Sequence, residues 1–261
     1  MPLIAVDKAR VRAFWNQDPC GTRDNPHPPF SPEYFEWIEA ERDAREPFIR
    51  RFARWPEWAG KDVLEMGVGA GTDFVRFARA GARVAGVDLS DRSVALTRER
   101  LIREGFNARL VVGDIENLAF PSKRFDFVYS WGVMHHTNDP SRAASEALRV
   151  LRPGGQFCVM LYHRWSLICL QAYLVYGVLR GRPRRRLDDI AAQHLESSGT
   201  KVYTERQARA LFPDQPVTVT HVMTPYDLRY GRRRYLPAPL QRLVPSYFGY
   251  FMVLEGTKPG A

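Results

Sequence analysis

The sequence predicts an α/β fold with a mostly parallel sheet, and three observations support this prediction. From residue 62 onward, apolar runs of strand length alternate with segments whose apolar residues repeat at the helical period. The runs at 84–87 and 127–129 do not alternate cleanly between apolar and polar residues, as expected of parallel strands buried on both faces. The first run leads directly into Gly67, Gly69 and Gly71, which predicts a strand, a tight turn and a helix.

The first 60 residues precede this alternating pattern. Residues 4–16 have the spacing of a short amphipathic helix, and the prolines between 18 and 32 predict a loop. Ser31, Pro32 and Glu33 are typical of a helix start, so we predict a helix to about Arg45 and a second segment to about Trp58. We assign residues 1–60 to a helical extension that acts as a lid over a ligand cleft or packs against the sheet.

Residues 61–163 contain the regular alternation and form the predicted core of the fold. Pro153, Gly154 and Gly155 precede the last strand of this region and predict a structural turn. The predicted strands are 63–66, 82–87, 109–112, 125–130 and 156–162, and the predicted helices are 72–80, 91–103 and 139–151.

Residues 164–261 are predicted to form a helical cap and the last strands of the sheet. Residues 165–179 are nearly uncharged and of helical length, too short to span a bilayer, and we expect them to be buried against the sheet. Thr204 and Gln207 are spaced as a capping box, which predicts a helix to about Phe212. Strands at 217–223 and 247–255 complete the predicted sheet.

Composition limits the class of protein. The chain has 261 residues, a formal net charge of +9 and a pI near 9.7, mainly because of arginine. Such a charge is typical of a protein with an anionic partner, or of an arginine-rich composition without functional meaning. Cys20, Cys158 and Cys169 fit neither a disulfide framework nor a C-x-x-C metal site, and the N-terminus has no signal-peptide pattern. We therefore expect a cytoplasmic protein without a structural metal.

Three carboxylates lie at or just after the carboxyl ends of predicted strands, where ligands of parallel sheets bind. Glu65 lies two residues before the glycine turn, where a carboxylate can meet an ammonium group. Asp88 is suited to accept hydrogen bonds from ribose hydroxyls, and Asp114 to accept one from an adenine amino group. The turn and Asp88 would also suit a nicotinamide dinucleotide, but Glu65 would be unfavourable beside a pyrophosphate.

The motifs together resemble the class I S-adenosylmethionine-dependent methyltransferases, in particular the small-molecule type similar to the ubiquinone and menaquinone biosynthesis enzymes. The resemblance covers about residues 61–163, and its motifs lie at 63–71, 86–90, 113–121, 125–136 and 151–155. It implies a Rossmann-like, mostly parallel sheet of seven strands with helices on both faces. It also implies the cofactor S-adenosyl-L-methionine and the product S-adenosyl-L-homocysteine.

The resemblance further implies the roles of individual residues. The glycine turn and the residue before it would hold the methionine part of the cofactor, and the residues after the next strands would hold its ribose and adenine. Residues after the fourth strand would line the crevice near the methyl group. The implied cofactor-binding residues are Glu65, Gly67, Gly69, Gly71, Asp88, Leu89, Asp114, Ile115, Ser130, Trp131 and His135.

His135, His136 and His163 are the candidate catalytic bases, because an imidazole of near-neutral pKa can deprotonate a hydroxyl or an acidic carbon. A base is optional, since in-line methyl transfer mainly requires an aligned nucleophile and the exclusion of water. A packing role for the paired histidines stays open. We expect no metal site at His135, His136 and Asp139, because adjacent residues seldom supply ligands together.

We predict a methyltransferase for a small, lipophilic acceptor. The apolar and arginine-rich composition of 165–186, 230–235 and 247–251 suits a membrane surface, so peripheral membrane contact stays open, as does the choice between monomer and homodimer. One alternative is methylation of RNA or protein, although the chain has no recognised RNA-binding module. The others are a noncatalytic cofactor-binding scaffold and a dehydrogenase, which Glu65 fits badly.

Overall fold

A computed structural model describes residues 7–228 and 243–260 of the chain. Its strands are β1 (Asp62–Met66), β2 (Arg83–Asp88), β3 (Arg109–Val112), β4 (Phe125–Trp131), β5 (Leu151–Tyr162), β6 (Val217–Val222) and β7 (Phe251–Thr257). They form one sheet in the order β3-β2-β1-β4-β5-β7-β6.

The sheet is parallel from β3 to β5, and β7 runs antiparallel to both β5 and β6. The predicted mostly parallel sheet of seven strands is therefore confirmed. Because the strand order reverses between β1 and β4, the carboxyl ends of the parallel strands border a crevice at this point. This crevice is where open α/β sheets bind their ligands.

Helices cover both faces of the sheet, and most begin where the sequence predicts. Ser31 caps its helix by accepting a hydrogen bond from the backbone N–H of Tyr34, and Thr204 and Gln207 form the predicted capping box. Two elements differ in extent: the helix after Thr204 ends early, and the last strand begins only at Phe251. The helices are α1 (Lys8–Gln17), α2 (Pro32–Arg45), α3 (Ile49–Ala53), α4 (Thr72–Arg79), α5 (Asp91–Arg103), α6 (Pro140–Val150), α7 (Leu167–Tyr176), α8 (Leu187–His194) and α9 (Glu205–Arg209).

The turn predicted at 153–155 is instead an irregularity inside β5. Leu151 already pairs with Phe125, and regular pairing resumes between Gln156 and Phe127. The extra residues on β5 are accommodated as a bulge, and a Cβ atom at Gly155 would lie only 2.9 Å from the carbonyl oxygen of Arg152. The prediction was wrong about the start of the strand because a bulge and a turn use the same residue types.

The core has two layers, one on each face of the sheet. On one face, Trp58 stacks on Phe127 with ring centroids 4.1 Å apart, and α3 and α4 supply further buried aromatic side chains. On the other face, the alanines of α6 pack against apolar residues of β1, β4 and β5. The division of the chain at 60 and 163 into extension, core and cap stays a prediction.

Helix α7 differs from its prediction. Only Cys169 and Ala172 of this helix are buried, whereas Leu170 is 55% exposed and Leu179, just after the helix, is 78% exposed. The expectation that residues 165–179 are buried against the sheet is therefore wrong. Among the residues that the structure describes, no helix has the length and apolar character needed to cross a bilayer. The aromatic residues at 230–235 lie outside the described residues.

Asp62 forms ion pairs near the amino-terminal ends of the strands, on the side of the sheet opposite the crevice. Its carboxylate, only 4% exposed, accepts hydrogen bonds or ion pairs from Arg83, Arg124 and Arg152 at 2.7–2.9 Å. These arginines, Arg83 foremost, hold the pKa of Asp62 well below its usual range. The native state therefore gains stability from this carboxylate above the unfolded pKa of about 4 and loses that contribution as the pH falls.

We expect Asp62→Asn to lower the free energy of unfolding by about 1–3 kcal/mol at neutral pH, because hydrogen bonds to a charged group are lost. The difference from the unsubstituted protein should shrink below about pH 4, where the native carboxylate approaches protonation. Urea unfolding at several pH values measures both quantities. A difference that does not change with pH would contradict this account.

Candidate active site

The glycine turn follows β1 and contains two glycines that are needed for different reasons. Gly67 has φ +88°, and a Cβ atom there would lie 2.1 Å from Cγ2 of Val133, so the protein itself fills that space. At Gly69, with φ +53°, the nearest described atom to such a Cβ would be Cβ of Cys20 at 3.9 Å. The open space above Gly69 can therefore receive a ligand close to the backbone.

Asp88 lies at the end of β2, beside the glycine turn. Its carboxylate accepts hydrogen bonds from the N–H of Gly69 at 3.0 Å and from that of Ser90 at 2.8 Å. Burial raises the pKa of Asp88, while these N–H groups oppose the change. The next residue, Leu89, borders a surface cavity of about 380 Å³ beneath α1. The cavity thus lies beside the residue that follows Asp88.

Glu65 lies in a buried cluster of charges beneath the turn. Its Oε2 atom has no hydrogen-bond partner among the described residues, and burial together with the charge of Asp73 raises the pKa of Glu65 well above its ordinary value. Arg42 of α2 forms ion pairs with Asp73 at 2.8 Å and Glu46 at 3.2 Å, but its Nε atom likewise lacks a described partner. An unpaired carboxylate oxygen and an unpaired guanidinium N–H are the two groups that an amino acid zwitterion needs.

The side chains of Ser130 and Trp131, at the end of β4, form hydrogen bonds with other residues of the protein. The fully buried Ser130 donates its hydroxyl hydrogen bond to the carbonyl oxygen of Met66 at 3.2 Å. The indole N–H of Trp131 donates to Glu46 at 3.0 Å, and its ring lies beside that of Tyr129. Both side chains are thus engaged inside the protein, and the expectation that they line the crevice stays a prediction.

Asp114 and Ile115 follow β3 at the far side of the crevice. Ile115 is buried, whereas Asp114 binds the ammonium group of Lys8 at 2.6 Å. Lys8 also binds Glu116 at 2.6 Å, so one lysine of α1 bridges two carboxylates. Asp114 is therefore present at the predicted place but is already engaged by the N-terminal helix.

Helix α1 lies across this side of the crevice. Besides Lys8, Arg12 pairs with Asp91 at 2.7 Å, and the side chain of Asn16 accepts a hydrogen bond from Ser90 at 2.7 Å. Trp15 reaches further and contacts the edge of the His136 ring, with centroids 5.3 Å apart. The helix thus contacts residues that follow β2, β3 and β4.

The two adjacent histidines lie together after β4, in a short 3-10 turn. His135 is completely buried against the ring of Tyr162, with centroids 3.8 Å apart. His136 approaches Glu196, from the segment after α8, with Nε2 and Oε2 3.2 Å apart. Tyr162 donates its hydroxyl hydrogen bond to the same Glu196 oxygen at 2.6 Å. Asp139 lies apart from this group, as the N-cap of α6.

The comparisons with known proteins match this arrangement. The family described as "Methyltransferase domain" matches residues 64–159, which include the glycine turn, Asp88, Asp114 and both adjacent histidines. Residues 64–159 form a methyltransferase domain.

Relatives of this methyltransferase domain carry related names. A demethylmenaquinone methyltransferase of Tropheryma whipplei (strain Twist) is 36% identical over 144 residues, 54% of this chain and 59% of that protein. A ubiquinone biosynthesis O-methyltransferase of Coxiella burnetii (strain Dugway 5J108-111) is 31% identical over 97 residues, 37% of this chain and 42% of that protein. The chain thus spans about three fifths or less of the length of these curated relatives.

A solved structure supports the same fold assignment. The geranyl diphosphate C-methyltransferase from Streptomyces coelicolor A3(2), determined with Mg²⁺, geranyl diphosphate and S-adenosyl-L-homocysteine, superposes with a TM-score of 0.63 at 17% identity. The match covers 96% of this chain and 97% of that one. The chain therefore has the class I methyltransferase fold.

The third candidate base, His163, does not join the histidine pair of the methyltransferase domain. Because successive residues of a strand point to opposite faces, Tyr162 faces His135 while His163 faces away. Its ring lies 4.4 Å from that of His221 and 5.1 Å from that of Tyr247. Burial and the neighbouring His221 lower the pKa of His163 to about 4. We therefore no longer count His163 among the candidate bases.

Sequence reasoning missed Arg42, Glu196 and Lys8 near the methyltransferase crevice. Arg42 and Lys8 come from the N-terminal extension, and Glu196 comes from the C-terminal part, where the sequence motifs are absent. Only the fold brings them to the crevice. The spacing of Arg42 and Glu46 by four residues on α2 indicated a possible ion pair but not its location.

Proposed function

We propose that this chain is an S-adenosylmethionine-dependent methyltransferase acting on a small molecule. The observation that carries the proposal is an open backbone surface at Gly69 together with two buried polar atoms that lack hydrogen-bond partners. Among the described residues, these orphan atoms are Glu65 Oε2 and Arg42 Nε. They are suited to the ammonium and carboxylate groups of a methionine moiety.

The remaining residues of the crevice fit the rest of the cofactor. Asp88 would accept from ribose hydroxyls with the carboxylate lone pairs that Gly69 and Ser90 do not use. The cavity beside Leu89 would take the adenine, with Ile115 and Asp114 at its border once Lys8 makes room. The bound cofactor would supply an electrophilic methyl group on a sulfonium. The protein's own part is to align the acceptor in line with that methyl group and to exclude water.

The lid role of the N-terminal extension belongs to this proposal. Helix α1 carries Lys8, Arg12 and Asn16 to three points of the crevice rim, and Trp15 to the histidine pair. A helix held by such exposed polar contacts can open and close more easily than one held by core packing. Closure would exclude water from the reacting groups.

Calorimetric titration with S-adenosylmethionine, S-adenosylhomocysteine and NAD tests the proposed cofactor. We expect both adenosyl ligands to bind and NAD not to bind. Asp88→Ala should weaken adenosyl binding by about 10- to 100-fold, because a charge-assisted hydrogen bond contributes about 1.5–3 kcal/mol. Asp189→Ala, in α8, is the matched control and should bind like the unsubstituted protein. Binding of NAD alone, or of none of the three, would overturn the proposal.

We propose that the acceptor is lipophilic. We also propose that this protein is cytoplasmic and makes peripheral contact with a membrane surface, where it would meet the acceptor. Two relatives are named for quinone biosynthesis, and α7 exposes Leu170, Leu174 and Val175 next to exposed arginines at 180, 182 and 184. Apolar side chains bordered by arginine are suited to anionic lipid headgroups.

Sedimentation with vesicles of anionic or zwitterionic lipid tests the membrane contact. We expect binding to anionic vesicles that weakens as salt increases. The double variant Leu174→Asp, Leu179→Asp should lose most of this binding, because two charges replace exposed apolar side chains that would insert into the lipid. Ile102→Asp, which alters an exposed apolar residue of α5, should sediment normally. Equal loss in all variants, or no binding to either vesicle, would contradict the membrane part of the proposal.

A further inference from the structure

Two histidines and a glutamate converge at the acceptor side of the crevice. His135, His136 and Glu196 each offer one ligand atom, and these three atoms all lie within 4.8 Å of one another. His135 is completely buried, and neither ring nitrogen makes an aligned hydrogen bond in the described part of the chain, although the backbone of Met160 approaches the ring closely enough to act on its pKa. A buried imidazole whose hydrogen-bonding capacity is not filled is costly unless something else binds it.

The hydroxyl groups beside His136 allow a proton at Nδ1. Nδ1 lies 2.8 Å from the Ser197 hydroxyl and 3.1 Å from the Thr200 hydroxyl, and the Thr200 hydroxyl itself donates to the carbonyl oxygen of Ser197 at 2.7 Å. Thr200 can therefore accept from Nδ1, whereas Ser197 can either accept from Nδ1 or donate to it. In a metal-bound form, Nδ1 would carry the proton and Nε2 would offer its lone pair.

Nε2 of His136 lies close to a carboxylate. It is 3.2 Å from the Glu196 oxygen and has no aligned hydrogen-bond partner among the described atoms. Either a proton on Nε2 or a metal ion would stabilise this approach. A metal ion placed off the line between the two atoms would bind both.

The surroundings have the properties of a metal site. Metal-bound histidines usually donate their second N–H to a fixed acceptor, for which the hydroxyls of Thr200 and Ser197 are in place beside His136. Bound carboxylates are themselves hydrogen-bonded, as Glu196 is by Tyr162. Glu196 is 45% exposed and offers an entry path from solvent. The nearby ammonium group of Lys201 is directed to the carbonyl oxygen of Thr137.

We propose that His135, His136 and Glu196 bind one divalent transition metal ion of the zinc class. Two imidazoles and one carboxylate suit zinc rather than magnesium, which prefers oxygen ligands. Three protein ligands leave an open coordination position, as in catalytic zinc sites. The adjacency of the two histidines, which argued against a site with Asp139, is no obstacle here because the 3-10 turn brings their rings within 4.2 Å.

The role of this ion rests on the proposed methyltransferase function. An acceptor hydroxyl bound at the open position would lose its proton to water more readily. Its oxygen lone pair would form the new O–CH₃ bond while the S–CH₃ bond breaks, and the sulfonium would become a neutral thioether. The site therefore favours an acceptor that is methylated on oxygen, such as a phenol or an enol.

Titration of the metal-free protein with Zn²⁺ by calorimetry, and with Co²⁺ by visible absorption, tests the site. We expect one tight equivalent and a Co²⁺ spectrum of low coordination number. Glu196→Gln should weaken binding by at least about tenfold, and Tyr162→Phe, which keeps the ring but removes the orienting hydroxyl, by about 10- to 100-fold. His136→Ala should abolish the spectrum. His221→Ala, at a half-buried histidine outside the group, should bind normally.

The exposed Cys20 can also bind zinc, so each titration is repeated with Cys20→Ser. Persistence of the site in that background supports the proposal, and its disappearance contradicts it. Failure of the unsubstituted protein to bind either ion would overturn the proposal and leave His136 and Glu196 as an ion pair. Binding of S-adenosylhomocysteine, measured in the same samples, separates this failure from failure of the methyltransferase proposal.

Discussion

Gly67→Ala is expected to lower the free energy of unfolding by about 2–5 kcal/mol. About 1–2 kcal/mol comes from placing an L-residue at a φ of +88°. A further 1–3 kcal/mol, roughly, comes from the overlap of the new methyl group with Val133, whose Cγ2 would lie at 2.1 Å. Urea unfolding followed by circular dichroism measures the change.

Gly105→Ala, at the end of α5, is the matched control. It has φ +73° and no described atom within 4 Å of its Cβ position, so it should cost only the conformational part, about 1–2 kcal/mol. Equal costs at the two positions would show that Val133 moves aside freely. Gly69→Ala should also destabilise modestly, but it should lose adenosyl binding because the methyl group enters the open space above the turn.

Cofactor binding is expected to be accompanied by the release of a proton from Glu65. In the free protein, burial and the charges of Asp73 and Asp88 raise the pKa of Glu65, which favours its protonated form. A ligand ammonium group beside Glu65 favours the carboxylate, so the bound pKa falls and a proton leaves. Affinity should therefore rise with pH until it passes the pKa of Glu65 in the free protein. Calorimetry in buffers of different ionisation enthalpy counts the protons.

Glu65→Gln removes the titrating group while keeping its shape. We expect proton release to vanish and affinity to fall by roughly 30- to 700-fold, as for the loss of one partner of a buried charge pair worth about 2–4 kcal/mol. Glu57→Gln, at an exposed position of the N-terminal extension, should change neither quantity. Proton release that persists in Glu65→Gln would assign the titration to another carboxylate.

The sequence was sufficient for those parts of the fold that local chemistry specifies. The N-cap at Ser31, the capping box at Thr204 and the alternation from β1 to β5 all depend on residues close in sequence, and each was predicted. The turn at Gly67 was predicted for the same reason, because positive φ leaves a glycine signature. The start of β5 was predicted wrongly, because a bulge has no sequence signature that distinguishes it from a turn.

Contacts between distant segments could not be predicted. Glu196 meets His136 across 60 residues of chain, and nothing near it in sequence indicates that meeting. The burial of Ser130 depends on its bond to Met66 in the neighbouring strand. The exposure of α7 was also missed, because an apolar helix has the same composition whether it packs on a sheet or faces outward.

The two ion pairs of Lys8 bear on how fast a ligand could enter and leave the crevice. While this lysine bridges Asp114 and Glu116, the adenine amino group of the proposed cofactor would compete with the lysine ammonium group for the same carboxylate. Under the proposed lid role, a ligand would then enter or leave only as fast as α1 releases that bridge. The N-terminal helix would set the residence time of the spent cofactor and, where methyl transfer itself is fast, the rate of turnover.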